Sequence, residues 1–208
     1  MILLCIDTTK QKAVIALNNN GIKSVHEIPE SKKHSEALLT ELEEFLCKNK
    51  ITINDVTHLG AVTGPGSFTG IRIGMATIKA FSFALNLPIV SDNYFNVVSN
   101  FVQNGCVAIK NTSTSVYFSN ITNGTASEIE VVNNSDVSTL ANGKTLFVPD
   151  FEQLKDAISY NNISEIKNYG NILIDYLTLK VENGNFTKSS EFSPTYAQLS
   201  QAERNLKN

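Results

Sequence analysis

Residues 2–6 (ILLCI) form an unbroken apolar run closed by Asp7-Thr8-Thr9. A short apolar run with β-branched members predicts a buried central strand. Residues 12–18 (KAVIALN) predict a second strand, and Asn18-Asn19-Asn20-Gly21 is a turn signal. Residues 22–28 (IKSVHEI) alternate imperfectly and predict a third. Strands joined by such short turns form an antiparallel meander. Pro29 ends the third strand, and Ser31 is placed to cap a helix over 32–49. Leu38, Leu39, Leu42, Phe45 and Leu46 recur there with the helical period, while Glu41, Glu43, Glu44 and Lys48 fall largely on the other side. Residues 58–62 (HLGAV) predict a fourth buried strand. A glycine-rich turn at 64–70 feeds a second helix, Asn86-Leu87-Pro88 stops it, and Ile89-Val90 is a short fifth strand.

The order β-β-β-α-β-α-β matches an RNase H-like half, with strands parallel wherever a helix crosses over. A helix is expected near 92–103, then strands at 106–110 and 115–121 that open a second half. Residues 122–144 are rich in Asn, Ser, Thr and Gly and read as a loop-prone β region. A strand at 145–148, a short helix at 151–159, a helix at 170–179 and a polar helical tail at 195–207 complete the reading. The expected division is 1–104 and 105–208, the second half smaller and trimmed, with a C-terminal helix packing back on the first.

The segment GPGSFTGIRIGMATIK at 64–79 is the most distinctive stretch. Ser67 and Thr69 can cap the helix that follows. Gly70, Gly74, Ala76, Ala80 and Ala84 are interspersed with Ile71, Ile73, Met75, Ile78, Phe81, Phe83 and Leu85. Such a helix is apolar on most sides, and its small residues four apart admit a close neighbour, either the sheet or another chain. A P-loop needs Lys and then Ser or Thr after its last glycine, but Ile71 and Arg72 follow Gly70. The dinucleotide fingerprint needs a glycine where Thr69 stands. Gly64, Gly66, Ser67 and Thr69 therefore remain candidates for anion or nucleotide contact through backbone N–H groups, beside the simpler reading of a strand-to-helix crossover.

The chain has 208 residues, 42% of them hydrophobic, and a formal net charge of -3. That supports a sizeable core and argues against a stand-alone nucleic-acid binder, which needs clustered positive charge. Cys5, Cys47 and Cys106 are odd in number and far apart, as expected of buried free thiols in a reducing compartment. No signal peptide and no apolar run of membrane-spanning length is expected, so the expected location is the cytoplasm. His26, His34 and His58 lack the three-to-five spacing of a metal clamp, so no metal site and no catalytic residue is expected. Asp7 ends a strand, where a carboxylate can hold a metal through water, but the following Lys10-Gln11-Lys12 lacks the glycine that lets phosphate approach.

MILLCIDTT, KHSEALL at 33–39, GPGSFTGIRIGMATIKAF at 64–81 and SPTYAQLSQAER at 193–204 together resemble the TsaB (YeaZ) family. The resemblance covers residues 1–100 well, the tail moderately and 105–190 loosely. The family's Asp-Ala-Arg stretch before its Ile/Val-Tyr strand corresponds here to Lys110-Asn111-Thr112 before Val116-Tyr117. The resemblance implies an α/β, duplicated actin/Hsp70/sugar-kinase-like fold of mixed sheets with helices. It also implies a non-catalytic scaffold that pairs with a TsaD-like catalytic subunit and a TsaE-like ATPase. That complex installs threonylcarbamoyladenosine on tRNA, so tRNA is met only through the complex. ATP or ADP is expected only at the complex level, and a homodimer when the chain is alone.

The expected partner interface comprises His34, Glu36, Leu38, Leu42 and Phe45 on the first helix and Gly70, Arg72, Ile73, Gly74 and Thr77 on the second, in an intermolecular four-helix bundle. Glu36 suits the positive end of its helix, whereas Arg72 near a helix N-terminus calls for an offsetting negative group. Rival readings are an ATP-dependent phosphotransferase or metallohydrolase of the same superfold, and a plain homodimeric binding module.

Overall fold

The computed structural model describes residues 1–31, 34–188 and 190–197, with the side chain of His34 outside the description. The chain forms two compact units, residues 1–97 with 170–194, and residues 98–169 with 195 onward. The division thus falls at 97/98 instead of 104/105.

The first unit holds one five-stranded sheet in the order β3-β2-β1-β4-β5. β1 (Ile2–Asp7), β2 (Ala13–Asn19) and β3 (Ile22–Ile28) form the antiparallel meander, with Cys5 opposite Ala16. β4 (His58–Val62) runs parallel to β1, and β5 (Ile89–Asp92) parallel to β4. Each parallel crossover carries a helix, α1 (His34–Lys48) and α2 (Phe68–Leu85). Alternation decides the two faces of β1. Leu4 and Ile6 join a core with Leu38, Leu42, Phe45 and Leu46 of α1 and Ile71, Met75 and Ile78 of α2. Cys5 lies on the other face of β1, against Gly60 of β4; a Cβ at Gly60 would meet both the Cys5 sulfur and Leu177. Leu177 belongs to the last helix, α5 (Tyr169–Glu182). Asn18 Nδ2 donates to Thr178 Oγ1 at 3.0 Å on the same side.

α3 (Tyr94–Ser99) is shorter than the helix expected over 92–103, because the chain turns at Phe101 and Val102, whose N–H groups both return to the Val98 carbonyl. In the second unit, β6 (Asn104–Lys110) and β7 (Ser115–Thr122) pair antiparallel. β8 (Thr125–Ala126) and β9 (Glu130–Asn133) both pair with β7, α4 (Val137–Ala141) follows, and β10 (Leu146–Val148) runs parallel to β6 and β11 (Ile163–Glu165). The helix expected at 151–159 is instead a run of turns, although Leu154 and Ile158 are buried in this unit's core. β11 pairs over only three residues, too few for the sequence pattern to predict. No helix is present over residues 195–197, and the remainder of the expected tail helix lies outside the described residues. Mixed sheets and helices in this order form an actin/Hsp70/sugar-kinase-like architecture.

Candidate functional site

The C-terminal end of β1 and the start of α2 meet in the first unit. Asp7 is buried, and its Oδ1 accepts the Thr9 backbone N–H at 2.8 Å and the Thr9 hydroxyl at 2.6 Å. Lys10 Nζ pairs with Asp7 Oδ2 at 2.5 Å and lies 3.9 Å from the centroid of the Tyr94 ring. Burial by itself would raise the Asp7 pKa; the Lys10 ammonium and the Thr9 hydrogen bonds outweigh it and hold the carboxyl below its ordinary value. Burial, opposed by Asp7, lowers that of Lys10. Burial and the neighbouring Asp7 charge push the Tyr94 phenol well up.

Ser67 caps α2 by accepting the Gly70 N–H at 3.2 Å, as the sequence predicts. The turn is occupied by the chain itself. The Ser67 N–H donates to the Thr9 carbonyl at 2.8 Å, and Thr8 Oγ1 donates to the Gly70 carbonyl at 2.6 Å. A Cβ at Gly70 would overlap the Thr8 carbonyl oxygen, and one at Gly74 the Thr8 hydroxyl. Of the candidates for anion contact, Gly64, Gly66, Ser67 and Thr69, the Ser67 amide thus has a partner within the chain, and the neighbouring Gly70 amide is taken by the Ser67 hydroxyl.

This geometry corrects half of the expected partner interface. Leu38, Leu42 and Phe45 are 2%, 3% and 5% exposed, buried in the first unit's own core. Gly70 and Gly74 are buried as seats for Thr8. The helical period marks an apolar face without saying what covers it, and here the sheet does. Ile73 and Thr77 are half-buried at the flank, with Thr77 Oγ1 donating to the Ile73 carbonyl at 2.9 Å. Glu36 is exposed in the first turn of α1. Arg72 is exposed, its guanidinium 3.8 Å above the Phe68 ring.

The outward stripe of α2 is Thr69, Arg72, Ala76, Lys79, Ala80, Phe83 and Ala84, at helical spacing, and Phe83 is 92% exposed. Exposed Leu39 stands on α1 among Glu36, Glu43 and Glu44. α2 is also long and apolar enough to cross a membrane by composition, contrary to expectation. Its inner face is packed on the sheet, as in the core helix of a folded domain.

Sequence reasoning passed over two further groups. Lys10 is legible three residues after Asp7, but Tyr94 is distant in sequence. At the end of β5, Asp92 Oδ2 accepts from Tyr176 Oη and Lys180 Nζ, both at 2.7 Å, which ties α5 to the sheet. Cys5 and Cys106 are buried thiols as expected, while Cys47 is exposed on α1. Among the described residues no three His, Cys, Asp or Glu side chains converge to hold a metal. His26 Nε2 instead lies 2.6 Å from Glu41, and His58 stacks on Phe186.

The family model described as TsaD, tRNA N6-adenosine threonylcarbamoyltransferase, matches residues 20–119. The tRNA threonylcarbamoyladenosine biosynthesis protein TsaB of Haemophilus influenzae is 28% identical over 126 residues, 57% of this chain and 53% of that protein. The Escherichia coli TsaB is 30% identical over 90 residues, 43% of this chain and 39% of that protein. The match thus spans about half or less of the length of these relatives. A tRNA N6-adenosine threonylcarbamoyltransferase of Clostridium kluyveri is 34% identical over 80 residues, 36% of this chain and 24% of that enzyme. YeaZ from Pseudomonas aeruginosa superposes over 94% of this chain and 99% of its own, with TM-score 0.74 and 18% identity. A second structure, described as similar to peptidase YeaZ from Pseudomonas aeruginosa, covers 95% and 99%, with TM-score 0.76 and 17% identity. The chain is thus similar in sequence to proteins named TsaB over part of its length, and it has the fold of YeaZ along nearly all of it.

Proposed function

We propose that this chain is a non-catalytic scaffold subunit in the biosynthesis of threonylcarbamoyladenosine on tRNA, pairing with a TsaD-like catalytic subunit. The observation that carries the reading is the outward stripe of α2. Ala76, Ala80 and Ala84 would let a partner helix come close, and Phe83, 92% exposed, offers an aromatic anchor. Arg72 and Lys79 on α2 and Glu36, Glu43 and Glu44 on α1 surround that apolar strip with charges of both signs, which suits a polar rim. The TsaB relatives support the pathway assignment, and the transferase-type relatives support a partner of that class.

In this reading a TsaE-like ATPase joins the pair, ATP or ADP is held only in the assembled complex, and tRNA is met through the partner. The chain alone forms a homodimer through the same stripe and works in the cytoplasm. Arg72 serves by charge placement at the boundary. The test is mass measurement of the chain alone and mixed with the cell's TsaD-like protein. A mixed complex that Phe83→Asp weakens at least about tenfold, with the variant still folded, is the expected result. A chain that only self-associates would establish a homodimeric binding module instead.

A further inference from the structure

The fold family implies a metal–nucleotide site at a strand-end carboxylate, and the residues at that place do not fit one. A divalent cation needs carboxylate oxygen that faces water or a phosphate. Asp7 Oδ1 is engaged by the Thr9 amide and hydroxyl at 2.8 and 2.6 Å, and Oδ2 by Lys10 Nζ at 2.5 Å. The ammonium is enclosed on another side by the Tyr94 ring, 3.9 Å away, a favourable seat for a desolvated cation. The Asp7 side chain is fully buried and that of Lys10 is 14% exposed. The glycine turn opposite is filled by protein, because Thr8 occupies the seats at Gly70 and Gly74 and the Thr9 carbonyl takes the Ser67 amide.

We propose that the Lys10 ammonium is the resident cation of Asp7, an internal substitute that closes this strand end to divalent metal and to a metal-bound nucleotide. The carboxylate is then kept for its structural hydrogen bonds to Thr9, and its charge is met from within the chain. Lys10 sets this property, since the same carboxylate without it would be a buried negative charge that attracts any small cation. The proposal deepens the non-catalytic reading given above and rests on this chain's own residues.

The test uses the full chain in thermal melts, with chelator or with about 5 mM MnCl2, where a Kd tenfold lower would raise the melting temperature by roughly 3 °C. The unaltered chain is expected to melt alike in both. Lys10→Gln is expected to melt lower in chelator and to recover with MnCl2. Asp7→Asn/Lys10→Gln, neutral at both positions, is expected to lose that recovery. Equilibrium dialysis of the unaltered chain against MnCl2, alone and with ADP, decides the matter even if Lys10→Gln does not fold. Uptake by the unaltered chain that Asp7→Asn removes would overturn the proposal, as would a folded Lys10→Gln that ignores MnCl2. Failure to bind a TsaD-like partner would overturn the scaffold reading and leave these melts unchanged, so the two are distinguishable.

Discussion

Two carboxylates, the buried Asp7 and the half-buried Asp92, tie the first unit together, and both make it sensitive to acid. Burial would raise Asp7, but Lys10 and Thr9 lower it. Burial would also raise Asp92, but Lys180, Tyr176 and Asn96 lower it. Each folded-state pKa lies below the unfolded one, so the unfolded chain binds more protons in the interval between them. The stabilisation is therefore complete above roughly pH 4 and is lost as pH falls through the lowered values. Melting temperature should fall steeply below about pH 4, and a chain carrying Asp92→Asn should show a shallower fall. Asp92→Ala strands the Tyr176 hydroxyl and leaves the Lys180 ammonium without its counter-charge, held by the Ser91 carbonyl, and should cost about 2 kcal/mol in denaturant titration. Lys180→Met should recover part of that loss in the double variant if the cost comes from the ammonium's lost counter-charge. Arg72→Ala should change stability by less than about 0.5 kcal/mol, because the guanidinium is exposed over Phe68. A larger loss in the melt would place Arg72 in the fold instead of at a partner boundary.

At the scale of elements, α2 has two faces with different duties. Its inner face carries Gly70, Ile71, Gly74, Met75 and Ile78 against the sheet, and its outer face carries Ala76, Ala80 and Phe83. Substitutions on the two should separate stability from association. Gly74→Leu drives a side chain into the Thr8 hydroxyl and should lower stability by about 1–3 kcal/mol or prevent folding. Ala80→Glu adds bulk and charge to an exposed strip, so it should leave the melt within about 0.5 kcal/mol while weakening self-association in sedimentation. A stable Gly74→Leu chain, or an Ala80→Glu chain with unchanged association, would reverse the assignment of faces. Periodicity predicted both helices to within a few residues, because a helix buried on one side must repeat near 3.6 residues. It did not rank the faces of α2, which is apolar nearly all round. The turns at 151–157 went the other way, since a few apolar residues in a short segment fit a helix and a turn equally well.

At the scale of the whole molecule, the chain alone should transfer no threonylcarbamoyl group to tRNA. The measurement is product formation by the purified chain with threonylcarbamoyl adenylate and tRNA, alone and after adding the TsaD-like protein. Turnover by the chain alone would overturn the scaffold reading, and dependence on both proteins would support it.

The sequence alone determined the first unit's strand and helix order, the Ser67 cap and the family resemblance. These depend on residues near one another in the chain: apolar runs, turn-forming Asn-Gly and Pro, and a hydroxyl three residues before an amide. Tertiary structure alone decided that Leu38, Leu42, Phe45, Gly70 and Gly74 face inward. It also placed the Tyr94 ring over Lys10 and seated Thr8 in the glycine turn. Apolar or small side chains record that something comes close, but sequence spacing does not say whether it is the chain's own sheet or another molecule. That depends on contacts such as Thr8 with Gly70, separated by 62 residues in the chain.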